Sequence, residues 1–380
     1  MKRIYLDYSA TTPLKQEVLE AMSPYFTDVF GNANSLHAFG RDAVRALDDA
    51  RDKIAYLIGA KPNEIYFTSG GTEADNWAVY GGVTANKDKG MHFMVSPIEH
   101  PAVISTANRL KENGYDLSYL GVNSDGIIDT DLLKNQLKKD TTLVACMFAN
   151  NEVGTIQPID KVVEICKNNN TLVFTDAVQA VGSIDIDVKK LGVDMLSFSA
   201  HKFYGPKGIG CLYIKNGVKV SPIISGGHQE RAKRGGTSNV VLAVGMAKAL
   251  ELAKQNILKA NGNIKRVRDV FVKIVLQGLD NAYLNGSVEF RLVNNAHFTF
   301  KGVSGEALLY NLDLKGVCAS NGSACSSGTV EPSHVLKAIG LSDSDAKSSV
   351  RFTFGEEVSE SDAIDAAKAV ISSVNFLLDR

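Results

Sequence analysis

Short hydrophobic runs and amphipathic stretches alternate along the first two thirds of the chain. Residues 41–58 carry apolar side chains at helical spacing, which predicts an amphipathic helix. Short apolar runs between polar turns predict buried strands. These runs are EIYF (64–67), HFMV (92–95), TLVACMF (142–148), TLVF (171–174), DMLSFS (194–199) and IGCLYI (209–214). The alternation favours an α/β domain with a mostly parallel sheet.

The pattern changes after residue 249. Residues 240–277 predict a long helical region, which we expect to be interrupted near Asn261 and Gly262. The strand-like runs RLVNNAHFTF and VRFTF follow, and a last helix is predicted near residues 360–378. This succession of a long helix, two strands and a last helix indicates a smaller α+β domain that begins near residue 255.

Composition excludes several classes of protein. The 380 residues are 44% hydrophobic and 22% charged with a formal net charge of −1, so no basic surplus points to nucleic acid as the main ligand. No apolar run reaches the roughly 18 residues that cross a bilayer, and the N-terminus has no signal-peptide pattern. The five cysteines are scattered without a CxxC pair, which argues against a disulfide framework and a metal site. We therefore expect a cytoplasmic protein without a membrane segment.

The strongest chemical signal is SFSAHKFYGPKGIG, residues 197–210, in which Lys202 follows a predicted buried strand. A desolvated amine is a good nucleophile at neutral pH and suits a Schiff base, although a lone lysine here is more often a solvated loop residue. Asp176 ends another predicted strand, where acidic residues face the ligand crevice of parallel sheets. It could instead cap the next helix.

Two further turns follow predicted strands. The Gly70-Gly71-Thr72 turn opens a helix whose first amides could bind a phosphate, with Ser199, His201 and Thr237 completing the site. Many helices begin in this way, so the turn alone is a weak signal. His100, in SPIEHPAV, could stack on a ring and move protons, or be an ordinary core or surface histidine.

Two residues near the C-terminus complete the candidate chemistry. Cys325 lies in the small-residue run CASNGSACSSGTVEP, which we expect to form a mobile loop with an accessible thiol, although an incidental free cysteine is the ordinary alternative. Arg351, in SSVRFTFG, could hold a carboxylate by two hydrogen bonds or make a structural ion pair. Cys146, Cys166, Cys211 and Cys318 have apolar neighbours and are predicted to be buried.

Taken together, these segments resemble the class V aminotransferase-like pyridoxal-phosphate (PLP) enzymes, and among them the cysteine desulfurases of the NifS/IscS type. The resemblance extends over essentially the whole chain. The motifs occur in the family's order as YLDYSATTP, SGGTEADN, IEHPAV, NNEVGTIQPI, TDAVQAVG, SFSAHKFYGPKGIG, RGGTSN, SNGSACSS and SSVRFTFG. It implies PLP fold type I, with a large α/β domain over residues 15–255 and a small domain of residues 1–14 and 256–380.

The resemblance also implies a role for each candidate. Lys202 is expected to carry PLP, Asp176 to pair with the pyridine nitrogen, and His100 to stack on the ring and transfer protons. Arg351 and Asn151 would bind the substrate carboxylate, and Cys325 would become the persulfide. The remaining expected cofactor contacts are Gln179 at the phenolic oxygen and Gly71, Thr72, Ser199 and His201 at the phosphate, with Thr237 contributed by the other subunit of a homodimer.

The implied reaction removes sulfur from L-cysteine, gives L-alanine, and passes the sulfur to an acceptor protein. That acceptor would be an iron–sulfur scaffold or a tRNA-thiolation protein. Two alternatives share the fold: an aminotransferase or other lyase, and a selenocysteine lyase. A third, of another class, is a non-catalytic scaffold that only binds PLP. The presence of Lys202 and Cys325 favours the desulfurase.

Overall fold

The computed structural model describes residues 2–322 and 332–379. Its strands are β1 (Ile4–Tyr5), β2 (Ile65–Thr68), β3 (His92–Val95), β4 (Asp116–Tyr119), β5 (Thr141–Ala145), β6 (Leu172–Asp176), β7 (Met195–Ser199), β8 (Gly210–Ile214), β9 (Ala282–Leu284), β10 (Asn295–Phe300), β11 (Val317–Cys318) and β12 (Ser349–Thr353).

The helices alternate with these strands through the first two thirds of the chain. They are α1 (Gln16–Met22), α2 (Pro24–Thr27), α3 (Ala38–Ile58), α4 (Gly71–Asn76), α5 (Gly82–Ala85), α6 (Pro101–Glu112), α7 (Thr130–Gln136), α8 (Ile159–Lys167), α9 (Val188–Leu191), α10 (Gln229–Ala232), α11 (Val240–Gly278), α12 (Gly305–Leu314), α13 (His334–Ala338), α14 (Asp343–Lys347) and α15 (Glu360–Leu378). A π-helical turn, Trp77–Gly81, joins α4 to α5.

Among the described residues, the central sheet has the strand order β2-β8-β7-β6-β5-β3-β4. Strand β8 runs in the opposite direction to the other six strands. The inner strands are buried on both faces, so they are continuous apolar runs, as the sequence indicates. The edge strand β4, with the sequence DLSY, is half-exposed and polar, and the apolar-run argument missed it. The prediction of a mostly parallel α/β sheet is confirmed.

A second core lies beyond the central sheet. Strands β12, β10 and β9 form an antiparallel sheet, and β1 pairs in parallel with β11. Leu6 from the N-terminus packs in the same core as Phe271, Phe298 and Phe352. The two ends of the chain therefore share one hydrophobic core.

Helix α11 runs without interruption through Gly262, so the predicted break near Asn261 and Gly262 is wrong. A glycine within a helix costs only about 1 kcal/mol relative to alanine. The burial of the helical turns on either side of Gly262 outweighs that cost. Leu250, before the glycine, packs in the core beside the central sheet, and Phe271, after it, packs in the second core. The domain division near residue 255 stays a prediction, since this single helix runs through it.

Strands β6 and β7 are parallel neighbours in the central sheet, where Asp176 pairs with Ser197, and they end at the same edge, at Asp176 and Ser199. In an open parallel sheet this edge is the usual place for a ligand. Within residues 2–322 and 332–379, none of the helices has the length and apolarity that a membrane span requires.

Candidate active site

A cavity of about 300 Å³ lies at this edge of the sheet. Most of the site residues expected from the sequence line it together, although hundreds of residues separate some of them. They are Gly71, Thr72, His100, Asn151, Asp176, Gln179, Ser199, His201, Lys202 and Arg351.

Asp176 is the last residue of β6 and is only 4% exposed. Its Oδ1 accepts a hydrogen bond from the Val178 N–H at 2.8 Å, which fixes the carboxylate at the start of the following turn. Burial raises the pKa of Asp176, and the neighbouring His100 and Lys202 act in the opposite direction. A buried carboxylate of this kind gains stability from a cation placed beside it.

Two further buried carboxyl groups lie close to Asp176. The Ser197 hydroxyl donates to Asp75 Oδ1 at 2.5 Å, and the Met147 N–H donates to Glu99 Oε1 at 2.5 Å. Burial raises the pKa of both carboxyl groups, and the charge of Asp176 raises each further. This concentration of acidic groups suits a cavity that receives a positively charged ring or amine.

Lys202 ends the short turn Ala200–Lys202 that follows β7. Its Nζ donates to the carbonyl oxygens of Ser9 at 2.5 Å and Ala10 at 2.9 Å. Gln179 Nε2 donates to the same Ser9 oxygen at 3.0 Å. The N-terminal segment therefore lies directly against the lysine and restricts the position of its amine.

The turn between β2 and α4 brings backbone close to the cavity. A Cβ at Gly71 would lie 2.8 Å from Val178 Cγ2 and 3.6 Å from Ser199 Cβ, so a larger residue would displace its neighbours. Thr72 follows within the first turn of α4. Helix-start amides and a hydroxyl in this position can hold an anionic group such as a phosphate.

His100 immediately precedes α6, and its Nδ1 accepts a hydrogen bond from the Ala102 N–H at 3.2 Å. Burial lowers the pKa of His100, although the charge of Asp176 partly opposes this. The neutral ring then carries its proton on Nε2, because Nδ1 is the acceptor. His201 is neutral for a similar reason: burial and the charge of Lys202 lower its pKa to about 4.

Arg351 lies on β12 and is 2% exposed. Its Nη1 donates to the Asn151 carbonyl oxygen at 2.7 Å, and its Nη2 forms a 2.8 Å ion pair with Asp7 Oδ1. Its buried Nε has no hydrogen-bond partner among the residues that the structure describes. Arg351 also lines the cavity, where its guanidinium can bind a carboxylate.

Two expected residues are not among the described residues that line this cavity. Thr237 is exposed and lines a separate cavity with Ser69, Gly208 and Arg234. Cys325 lies outside the described residues. Of the other cysteines, Cys146, Cys166 and Cys211 are buried as expected, whereas Cys318 is only half-buried, because its short strand β11 pairs with β1 at the surface of the second core.

Sequence reasoning missed several lining residues. Those without a predicted role are Ser9, Ala10, Asp75, Met147, Val178 and Gly322. All except Met147 lie within the quoted motifs YLDYSATTP, SGGTEADN, TDAVQAVG and SNGSACSS, which were the available signal. Ser9 and Ala10 contribute main-chain carbonyls, whose direction no side-chain pattern reveals.

The sequence matches the aminotransferase class-V family over residues 4–365. It is 48% identical to the cysteine desulfurase IscS of Dictyoglomus turgidum, with 99% of this chain and 97% of that protein covered. It is 47% identical to the cysteine desulfurase IscS of Methanosarcina thermophila, with 98% of this chain and 92% of the relative covered.

Solved structures give the same result. A NifS-like protein superposes with a TM-score of 0.93 at 36% identity, covering 99% of this chain and 100% of the other. A NifS-like protein from Rickettsia africae has a TM-score of 0.88 at 29% identity, with both chains fully covered. These matches confirm the predicted fold type I architecture. The chain belongs to the class-V aminotransferase family and, within it, to the cysteine desulfurases of the NifS and IscS type.

Proposed function

We propose that this protein is a PLP-dependent cysteine desulfurase, which converts L-cysteine to L-alanine and leaves the sulfur as a persulfide on Cys325. The observation that carries the proposal is the convergence of Lys202, Asp176, His100 and Arg351 on one cavity. The naming of relatives over 40% identical as cysteine desulfurases supports it independently.

The residues of the cavity fit PLP. Lys202 would carry it, and Asp176, among buried carboxyl groups, would pair with a protonated pyridine nitrogen. Its phosphate would lie against the backbone of Gly71 and the side chain of Thr72. Its other contacts in this proposal are His100, Asn151, Gln179, Ser199, His201 and, from the second subunit, Thr237. When bound, PLP supplies an electron sink that stabilises negative charge on the substrate.

The chain's own groups would then bind the substrate and move protons. Arg351 binds the carboxylate of L-cysteine, which orients the amino acid. The Lys202 amine removes the α-proton, and His100 holds or returns a proton through Nε2. Because the cavity floor is buried, these groups act with little competition from water.

The sulfur transfer itself requires a nucleophile. The Cys325 thiolate attacks the substrate sulfur, an S–S bond forms, and the Cβ–S bond breaks. The electron pair of the broken bond stays with the carbon skeleton, which leaves as L-alanine after protonation. Cys325 retains the persulfide for an acceptor.

The alternatives use the same cavity but are not favoured. An aminotransferase needs a keto acid and releases no sulfide, a selenocysteine lyase acts on selenium, and a non-catalytic scaffold turns over nothing. Supplying L-cysteine with a thiol reductant distinguishes the proposal from the aminotransferase and the scaffold, because it should yield sulfide and alanine in equal amounts. Parallel assays with selenocysteine test the lyase.

The decisive variant is Cys325→Ala, compared with Cys318→Ala. We expect Cys325→Ala to retain the visible absorption of bound PLP and its change on addition of L-cysteine, while sulfide and alanine production falls by orders of magnitude. Cys318→Ala should keep most of the activity, because Cys318 does not line the cavity. Near-normal turnover in Cys325→Ala would exclude the persulfide mechanism.

The assembly and the acceptor are further parts of the proposal. We expect a homodimer in which Thr237 completes the phosphate site of the other subunit. A monomer in light scattering that binds PLP fully and turns over cysteine would contradict it. Delivery of sulfur to an iron–sulfur scaffold or a tRNA-thiolation protein, and a cytoplasmic location, stay predictions.

A further inference from the structure

The carboxyl group of Asp75 has no role in the chemistry proposed above, yet Asp75 lines the same cavity as Asp176. Asp75 lies in α4 and is only 1% exposed. A carboxyl group that is removed from water in this way is costly unless its surroundings compensate for it. The reason for its position therefore has to lie in its contacts and in what the cavity receives.

One contact of Asp75 is a short hydrogen bond from β7. The Ser197 hydroxyl donates to Asp75 Oδ1 at 2.5 Å, and Ser197 is fully buried. A hydroxyl that donates to a carboxyl group favours the charged form of that group. Ser197 therefore orients the Asp75 carboxyl group and stabilises a negative charge on it.

The register of the sheet places this pair beside Asp176. Asp176 of β6 is the partner of Ser197 of β7 in the parallel ladder. Paired residues of neighbouring parallel strands point to the same face of the sheet, and the strands lie about 4.8 Å apart. The Ser197 side chain thus lies next to that of Asp176, and its hydrogen bond holds Asp75 at the wall of the cavity that Asp176 occupies.

Two buried acids on one wall repel each other when both are charged. Burial raises the pKa of Asp75 and the charge of Asp176 raises it further, whereas the hydrogen bond from Ser197 acts in the opposite direction. A cation received by the cavity would relieve the repulsion and favour the charged form of both acids. The pair is therefore suited to a ligand that brings a positive charge.

The other titratable groups that act on these two acids come from neighbouring segments. Glu99 and His100 precede α6, and Lys202 follows β7. Glu99 adds to the repulsion, and burial keeps His100 neutral. Lys202 is the expected site of cofactor attachment, so the positive charge that both acids face has to include that of the bound cofactor.

We propose that Asp75 is a positioning residue for the cofactor ring: its carboxyl group, oriented by Ser197, supports the positive charge that Asp176 holds at this end of the cavity. This inference rests on the proposed function, because the charge is that of the protonated pyridine nitrogen of PLP. Asp75 acts on that nitrogen through space and does not replace Asp176 as its partner. Its loss should therefore lower the proton affinity of the ring while PLP stays bound.

The experiment measures protonation of the ring nitrogen in the holoenzyme. Wild type and Asp75→Asn are loaded with PLP that is isotope-labelled at this nitrogen, and its NMR chemical shift is followed as the pH is raised. Asp75→Asn keeps the size of the side chain and an oxygen that accepts from Ser197, but it removes the charge. Since a nearby opposite charge shifts a pKa by about one unit or more, we expect the midpoint to fall by about one pH unit, a tenfold loss of proton affinity.

Ser197→Ala tests the same role through the hydroxyl group. Without this donor the charged form of Asp75 is less stable, so the midpoint should move in the same direction by a smaller amount. The double variant should match Asp75→Asn, because the hydroxyl acts through the carboxyl group. Ser197→Ala also tests the proposal independently of whether Asp75→Asn folds.

Asp362 and Ser359 provide a matched control pair. The Ser359 hydroxyl donates to Asp362 Oδ2 at 2.7 Å, and Asp362 is 7% exposed, but this pair lies at the start of α15, outside the set of described residues that line the cavity. Asp362→Asn and Ser359→Ala should lower the melting temperature, because they weaken a helix cap. Both should keep the wild-type midpoint of the ring nitrogen.

A second readout follows proton removal without sulfur transfer. Exchange of the α-proton of L-alanine with solvent deuterium needs the electron sink of the protonated ring but no thiol. At a pH above the midpoint of Asp75→Asn, this exchange should be about tenfold slower in that variant than in wild type. Asp362→Asn should exchange at the wild-type rate.

The outcomes separate this role from a structural one and from the proposed function. A wild-type midpoint in Asp75→Asn and Ser197→Ala, even with lowered melting temperatures, would overturn the role of Asp75, because a purely structural hydrogen bond gives that result. If wild type binds PLP and the variants show the shift, but L-cysteine yields no sulfide, the desulfurase function fails and the role of Asp75 stands.

Discussion

The two sides of the cavity are built in different ways. On the first side, Asp176 is the last residue of β6, and Lys202 lies just after β7, the neighbouring strand of the same sheet. On the side of Arg351, the partners come from the N-terminus and from the loop after β5: Asp7 and the Asn151 carbonyl oxygen. The side chains of the first side are placed by strand order within one sheet, with the Ser9 and Ala10 carbonyls packed against them, whereas Arg351 is held by contacts with distant segments.

This difference suggests separate tasks. The side of Lys202 and Asp176, here called the sheet side, contains buried titratable groups whose pKa values are shifted, which suits proton transfer. The Arg351 side collects fixed donors and main-chain acceptors, which suits binding and orientation. Substitutions on the two sides should therefore change different kinetic constants.

The largest effect is expected for Lys202→Ala, on the sheet side. Without this amine, sulfide and alanine production should fall by several orders of magnitude, because both the cofactor attachment and the proton acceptor are removed. The fold should persist, as measured by circular dichroism, with Lys219→Ala as an exposed control. Substantial turnover in Lys202→Ala would mean that another lysine carries the cofactor; borohydride reduction and peptide mapping would identify it.

A smaller effect is expected for Arg351→Lys, on the opposite side. The lysine keeps the charge but loses the planar fork that contacts Asn151 and Asp7. Since a hydrogen bond to a charged group contributes about 1.5–3 kcal/mol, kcat/KM for L-cysteine should fall roughly 10- to 100-fold. The loss should be mainly in KM, and steady-state kinetics would measure it. A change in kcat alone would contradict the division between the two sides.

The smallest effect concerns the pH dependence of stability at His297, which pairs with Arg351 across β10 and β12. Burial lowers the pKa of His297 to about 3, so the folded protein keeps this ring neutral while the unfolded chain takes up a proton below its ordinary pKa of 6.5. Its contribution to stability is therefore present above pH 6.5 and is lost as the pH falls toward 3.

His297→Gln should remove this dependence. Between pH 6.5 and pH 5, wild type should lose about 1.6 kcal/mol of unfolding free energy that His297→Gln keeps, because the unfolded histidine passes from half to almost full protonation over this range. Urea unfolding at the two pH values measures it, and the buried carboxyl groups common to both proteins cancel. Equal changes in both proteins would show that His297 is not held neutral by the fold.

The sequence by itself determined the alternation of elements, because buried strands must be apolar and amphipathic helices must repeat at 3.6 residues. It also indicated Lys202, Asp176 and His100, since each lies at or shortly after the end of a strand, and strand ends share one edge of a parallel sheet. The apolar pattern did not predict β4, whose position at the edge of the sheet allows a polar sequence. It also predicted a break near Gly262 that α11 does not have.

The tertiary structure alone decided what lies around those groups. It brought the Ser9 and Ala10 carbonyls to Lys202, Asp7 to Arg351, and Glu152 to Ser333. Such contacts join residues far apart in the chain through main-chain atoms and buried charges. The local pattern of apolar and polar residues does not predict these contacts. The direction of a carbonyl group and the burial of a carboxylate are determined only when distant segments pack together.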